Sequence, residues 1–168
     1  MPAFIPGREL CERFFHTCAQ PILDKEFPSL RYSAGLLGYG SDVLGYDDEV
    51  STDHMWGPRF YLFLSQEDLP LVPDILRAFS RGLPYTFEGY SVNFSAPDPF
   101  DNGVRHAEFI TSGEVSPLIF FHEFDAFLED YLGSKNPQDA SPAEWLTFEE
   151  HRLLALSLAQ FYVDELGL

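Results

Sequence analysis

The stretch that decides the fold is residues 39–64, YGSDVLGYDDEVSTDHMWGPRFYLFL. It opens with a glycine-rich turn at Gly40 and Ser41, continues through a polar middle, and ends in a strongly apolar run. An Asp-His pair, Asp53 and His54, stands shortly before that run. Two interpretations are open from these residues alone: the pair belongs to a metal-dependent reaction centre, or it is a polar break before a strand.

The residues around this stretch predict two strands joined through the turn. Residues 32–41 read as a short buried strand that enters the glycine-rich turn, and residues 58–65 as an aromatic-rich strand. Further strands are predicted at 85–96 and 104–112, and helices at 8–20 (ended or bent by Pro21), from about 71 to 81 and at 116–133. Residues 141–167 predict a loop or turn followed by a last helix. The order predicts one α+β domain over residues 1–168, with a small mixed β-sheet and helices packed on it.

Composition places the chain among intracellular globular proteins. Its 168 residues fit one domain, and 45% hydrophobic with 16% aromatic residues predicts an aromatic-rich core. A membrane span is not expected, because the sequence lacks a long apolar run, and its start lacks the pattern of a secretory signal. Cys11 and Cys18 lie in one predicted helix at about 10 Å, too far apart for a disulfide. We therefore expect reduced thiols and a cytoplasmic location.

The charge balance narrows the class of partner. With 27 acidic and 10 basic residues the formal net charge is −17, so a nucleic acid backbone would be repelled. The charge argues against a reader of duplex DNA or RNA and fits cationic small molecules or metal-chelated nucleotides. Solubility alone would explain the same charge.

Several common motifs fail at a required position. Gly38 and Gly40 begin a dinucleotide fingerprint, but Val43 stands where its third glycine belongs. Gly40 and Gly45 have Walker A spacing, but Tyr46 replaces the lysine. The histidines and cysteines lack zinc-ligand spacing, and no G-x-S-x-G elbow occurs.

The remaining residues fit phosphoryl or nucleotidyl transfer. That chemistry needs carboxylates that hold divalent cations and a small-residue turn whose backbone cradles phosphates. A predicted buried strand ends at Gly40 and Ser41, Asp53 follows twelve positions after Ser41, and Glu108 lies in the predicted strand 104–112.

Each of these residues also has a purely structural explanation. Gly40 and Ser41 could form only a turn, and Asp53 could cap a turn through its side chain. Arg59 could pair with a structural carboxylate or neutralise a triphosphate. Glu108 could be a solvated strand residue.

The polar loop between the two strands favours structural roles. The acidic run Asp42, Asp47, Asp48 and Glu49 is interpreted as a solvated loop. Trp56 is interpreted as a packing anchor rather than a base-stacking platform.

Three segments together carry a family resemblance: FIPGREL, YGSDVLGYD and STDHMWGPRFYLFL. They resemble an uncharacterised bacterial and fungal domain family with the signature G-S-x-V-L-G-x-D followed by S-T-D-H-x-W-G-P-R. The family is similar in fold to the nucleotidyltransferase superfamily, the polymerase-beta-like proteins that include kanamycin nucleotidyltransferase. The likeness runs from Phe4 to about Gly167.

The resemblance implies a role for each matching residue. Gly40 and Ser41 would cradle the phosphates of a nucleoside triphosphate, most simply ATP, with Arg59 beside them. Asp53 and Glu108 would hold Mg²⁺ or Mn²⁺ and act in catalysis. The second superfamily carboxylate falls at Met55, whose thioether is a poor ligand for a hard ion.

Three functional hypotheses follow from the resemblance. In the first, the domain transfers a nucleoside monophosphate to a hydroxyl of a small molecule or protein, and the acidic surface would suit a cationic acceptor. In the second, it is a catalytically degenerate binding or interaction module on the same fold. In the third, the chain lacks a C-terminal helical region, and the apolar face of its last helix drives homodimer formation.

Overall fold

The computed structural model describes residues 4–52 and 55–168. Two short strands pair with each other, and four longer strands form one sheet. The elements in chain order are α1 (Gly7–Phe14), a π-helical turn (Phe15–Ala19), α2 (Gln20–Glu26), β1 (Tyr32–Leu36), α3 (Ser41–Leu44), β2 (Arg59–Leu64), a 3₁₀ turn (Leu69–Leu71), α4 (Val72–Gly82), β3 (Thr86–Phe87), β4 (Tyr90–Ser91), β5 (Leu118–His122), α5 (Phe124–Leu132), a 3₁₀ turn (Pro137–Asp139), α6 (Pro142–Trp145), α7 (Glu150–Ser157) and β6 (Gln160–Asp164).

The four-stranded sheet has the order β5-β2-β1-β6. β1 is antiparallel to both β2 and β6, whereas β2 and β5 are parallel. The sheet is therefore mixed, and helices make up 38% of the chain against 17% strand. These features confirm the predicted α+β class.

The central strands are buried because helices cover both faces of the sheet. Every residue of β1 and β2 is buried. Phe60 on one face packs in a cluster with Phe14 and Phe79 of α1 and α4. Phe63 on the other face packs with Phe127 of α5. The aromatic-rich core and the two predicted strands are confirmed, and α4 agrees with the helix predicted from about 71.

The first helix does not end at Pro21. It passes through the proline and continues as α2, with the π-helical turn Phe15–Ala19 just before it. Proline lacks an N–H and its ring crowds the carbonyl four residues earlier. A π-helical turn relieves this conflict because it widens the helix locally.

The prediction of regular strands at 85–96 and 104–112 is wrong for most of their length. The first holds only the β3–β4 pair, and in the second an isolated bridge joins Phe94 to Ala107. Arg105 supplies the connection that a ladder would otherwise give. Its guanidinium donates to the carbonyls of Ser95 and Pro117 at 2.7 and 3.1 Å.

Two predicted helices contain strands. The segment 116–133 begins as β5 and becomes helical only at Phe124. The segment 141–167 holds two short helices and then β6, which pairs with β1. Phe161 of β6 packs against a core cluster. Trp145, Leu146 and Leu154, in and next to the two short helices, are exposed, and the expected homodimer stays a prediction.

Gly35 makes the approach of β6 to β1 possible. A Cβ at this position would lie 2.4 Å from the carbonyl oxygen of Gln160, closer than a real side chain can approach.

Over the described part of the chain, we find no helix with the length and apolar character needed to cross a membrane.

Candidate functional site

The segments that the sequence singled out meet at one edge of the sheet, where β1 ends and β2 and β5 begin. Because β1 and β2 are antiparallel, the end of β1 lies beside the start of β2. Arg59 at the start of β2 also pairs with Leu118 at the start of parallel β5. The Gly40-Ser41 turn after β1 and the chain from Met55 that enters β2 therefore meet at this edge.

A buried ion pair between Arg59 and Asp42 organises this edge. Arg59 Nη2 donates to Asp42 Oδ1 at 2.8 Å, and Arg59 Nε donates to Oδ2 at 3.2 Å. The two side chains are 1% and 2% exposed. Arg59 Nη2 also donates to the Tyr39 carbonyl at 2.8 Å, and its guanidinium lies 5.0 Å from the centre of the Tyr39 ring.

Arg59 keeps its positive charge despite its burial. Burial lowers the pKa of Arg59, but the neighbouring Asp42 carboxylate, with smaller contributions from Cys11 and Tyr39, raises it, and the pKa is raised overall. Of the two roles open to Arg59, the geometry shows contact with a structural carboxylate. The interpretation of Asp42 as a solvated loop residue is wrong, because its side chain is buried against Arg59, which lies 17 positions away in the chain.

Gly40 has the backbone shape that this pair requires. Its φ of +123° and ψ of 148° lie in a region that is essentially restricted to glycine. A Cβ there would lie 2.2 Å from Asp42 Oδ1 and 2.6 Å from Arg59 Nη2. Ser41 follows as a half-buried residue at the start of α3. A glycine at this position therefore leaves the space that the ion pair occupies.

Asp47 fixes the rest of the loop to α1. Its Oδ2 accepts from the Gly7 backbone N–H at 2.6 Å and from Trp56 Nε1 at 3.0 Å. Trp56 is buried, with its ring stacked on Phe4 and edge-on to Tyr90. Its interpretation as a packing anchor agrees with this geometry, while Asp47, like Asp42, is a structural ligand rather than a solvated residue.

Cys11 lies under the same loop. Its thiol donates to the Gly57 carbonyl at 3.3 Å, and burial raises its pKa to about 12. Cys11 and Cys18 are both free thiols, as the spacing predicted.

Of the predicted metal ligands, Glu108 lies within the described residues. Asp53 and its neighbour His54 lie outside them. Glu108 is exposed on an irregular segment, so its placement in a strand is wrong; its carbonyl accepts from the Ser91 hydroxyl at 2.7 Å. Within the described ranges, no group of three or more His, Cys, Asp or Glu residues could hold a metal ion.

Met55, at the expected second-carboxylate position, contacts the site through its sulfur. Its Sδ accepts from the Tyr39 hydroxyl at 3.8 Å, and its φ is +47°. Met55 therefore reaches the ion pair and the turn through Tyr39.

A cleft of about 510 Å³ borders the glycine-rich turn. We call it the turn cleft. The Tyr131 hydroxyl donates to the Gly38 carbonyl at 2.8 Å, which joins α5 to the turn. The lining consists of Gly38, Tyr39, Gly40, Leu44, Asp130, Tyr131, His151, Arg152 and Ala155.

Two basic side chains of α7 face this cleft, and sequence reasoning did not assign them. Arg152 Nη1 donates to the Tyr131 carbonyl at 2.6 Å, and the Arg152 guanidinium lies 5.6 Å from the centre of the Tyr131 ring. Arg152 and His151 both contact Glu149, at 2.8 and 3.3 Å. Their signal in sequence was weak, because adjacent basic residues on a helix are most often part of a solvated face.

A second cavity, of about 470 Å³, lies on the far side of Trp56. We call it the aromatic cavity. Its lining consists of Phe4, Glu49, Thr52, Trp56, Gly57, Gly89, Tyr90, Ser91, Ala107 and Phe109.

Comparison of the chain with known protein families, with curated proteins and with solved structures found no match.

Proposed function

We propose that this domain binds a metal-chelated nucleotide at the sheet edge, as a nucleotidyltransferase-like protein would. The observation that carries the proposal is the turn cleft, where Arg152 and His151 face the glycine-rich turn at Gly40. Basic side chains are scarce in a chain with 10 Lys and Arg against 27 acidic residues. Their position opposite this turn gives a local attraction for phosphate, although Asp130 also lines the cleft.

The cleft also suits the remainder of a nucleotide. Its volume of about 510 Å³ falls within the usual range for small-molecule sites. Tyr39, an exposed ring, lines it, and aromatic rings of this kind stack on bases. Glu149 competes with phosphate for the two basic residues, but ion pairs this exposed contribute little and exchange readily.

The metal and the transfer step rest on Asp53. In the proposal its carboxylate holds Mg²⁺ or Mn²⁺ together with phosphate oxygens, since these ions prefer oxygen ligands. ATP would donate the nucleoside monophosphate, and a hydroxyl of a small molecule or protein would accept it. Arg59 and Glu108 have no assigned role, because Arg59 is held by Asp42 and Glu108 is exposed outside a strand.

Changing Arg152 to glutamine should weaken the binding of MgATP about tenfold, which corresponds to about 1.4 kcal/mol. The expected cause is the loss of a charge-assisted contact to phosphate. Isothermal titration calorimetry measures the effect. The matched control is Arg77→Gln, which removes the same charge from an exposed ion pair on α4. Equal affinities of the two variants would show that the phosphates lie elsewhere.

A second candidate function, a nucleotide-binding module without turnover, is favoured by two observations. Arg59 is occupied by a structural carboxylate, and Met55 replaces an expected metal ligand. Release of pyrophosphate from ATP in the presence of hydroxyl acceptors separates the two. Transfer that Asp53→Asn abolishes supports the enzyme; MgATP binding without transfer supports the module.

A further inference from the structure

The aromatic cavity has walls built from four separate parts of the chain. Trp56 and Tyr90 form a corner, with ring centres 5.1 Å apart and planes at 66°. Phe109 stands at the mouth with 70% of its surface exposed. An exposed aromatic ring beside a pre-formed apolar corner gains contact area when a ligand enters.

The corner is held rigid before any ligand arrives. Trp56 Nε1 donates to Asp47 Oδ2 at 3.0 Å, and the Tyr90 hydroxyl accepts from the backbone N–H of Ile5 at 3.3 Å. Phe4 stacks behind Trp56 with a centre separation of 5.9 Å. A ligand therefore meets walls that need little ordering, which favours affinity.

The charge of the lining selects the sign of the ligand. Glu49 is the charged residue among the described residues that line the cavity, and the net charge of the chain is −17. An anion, including a nucleotide phosphate, would be repelled here. A cation would be attracted both by Glu49 and by the negative faces of the aromatic rings.

The chemistry of the walls also selects the kind of cation. The rings offer few hydrogen-bond acceptors, so a bare ammonium group would lose hydration that the cavity does not replace. A methylated ammonium carries its charge on an apolar surface and loses less. We propose that the aromatic cavity is a binding site for a methylated organic ammonium, separate from the turn cleft and independent of nucleotide binding.

Choline and its neutral isostere 3,3-dimethylbutan-1-ol test the proposal, because they share shape and differ in charge. Trp56 fluorescence reports occupancy in a Trp145→Phe background, since Trp145 lies outside the lining of the aromatic cavity. Choline should bind at least about fivefold more tightly than the isostere, as expected for a charge over aromatic faces.

Two variants assign the interaction to this cavity. Glu49→Gln and Phe109→Ala should each weaken choline binding by about threefold or more. Matched controls are Glu67→Gln, an exposed carboxylate outside the lining, and Phe100→Ala, an exposed ring at 98%. Both controls should bind choline like the parent protein.

Three results would overturn the proposal. Equal binding of the neutral isostere would make the cavity a general apolar site. Competition between MgATP and choline for the Trp56 signal would assign the cavity to the nucleotide. Absence of any response to millimolar choline or tetramethylammonium would remove the site.

Discussion

Replacing Asp42 by alanine is expected to lower the free energy of unfolding by about 3–5 kcal/mol, the usual cost of breaking a buried ion pair. The substitution leaves the Arg59 guanidinium charged in a site where its side chain is 1% exposed. Arg59 Nη1 already lacks a hydrogen-bond partner. The substitution would also remove the hydrogen bonds that Nε and Nη2 donate to Asp42. Urea denaturation followed by circular dichroism measures the change.

The exposed pair Asp74 and Arg77 supplies the control. Its N–O distance of 2.7 Å is as short as that of the buried pair, but the two side chains are 57% and 55% exposed. Asp74→Ala should therefore change the free energy of unfolding by no more than about 0.5 kcal/mol. Similar losses from Asp42→Ala and Asp74→Ala would contradict the role given to the buried pair.

Gly40→Ala is expected to lower the free energy of unfolding by about 2–4 kcal/mol, through backbone strain and displacement of the ion pair. The φ of +123° excludes a side chain, and the added Cβ would lie 2.2 Å from Asp42 Oδ1. The clash involves both partners of the ion pair. The double variant Gly40→Ala/Asp42→Ala should therefore lose much less stability than the sum of the two single variants.

Gly45 offers a matched glycine in the same loop. Its φ is +71°, and a Cβ there would meet no atom within 4 Å. Gly45→Ala should cost only the left-handed backbone penalty, about 1 kcal/mol. Denaturation of both variants gives the comparison. A Gly40→Ala protein as stable as Gly45→Ala would show that the turn is not held by the ion pair.

The sequence predicts the two central strands of the sheet better than the two outer strands. β1 and β2 are short apolar runs bounded by glycine and proline, which is the pattern of buried strands. The sequence predicts a helix at β5 because its apolar run continues into α5 without a break, and a short apolar run has no period of its own. β6 is set by pairing with β1, and the only local sign was Gly35 within a strand.

The candidate site shows the same limit. Gly40 and Ser41 could be located from a turn after a buried strand, but the burial of Asp42 depends on a contact across the loop with Arg59. No local pattern separates that carboxylate from the exposed Glu49 nearby. Arg152 is likewise brought to the turn by the packing of α7, which the linear sequence does not reveal.

The measurement that tests the central claim most directly is calorimetric titration of ATP, with and without Mg²⁺, into the wild type and Asp53→Ala. The account predicts binding by the wild type that requires Mg²⁺ and is lost in the variant. Such a result would support a nucleotide site that includes residue 53. Binding that is independent of Mg²⁺ and unchanged in Asp53→Ala, or no binding by the wild type, would contradict it.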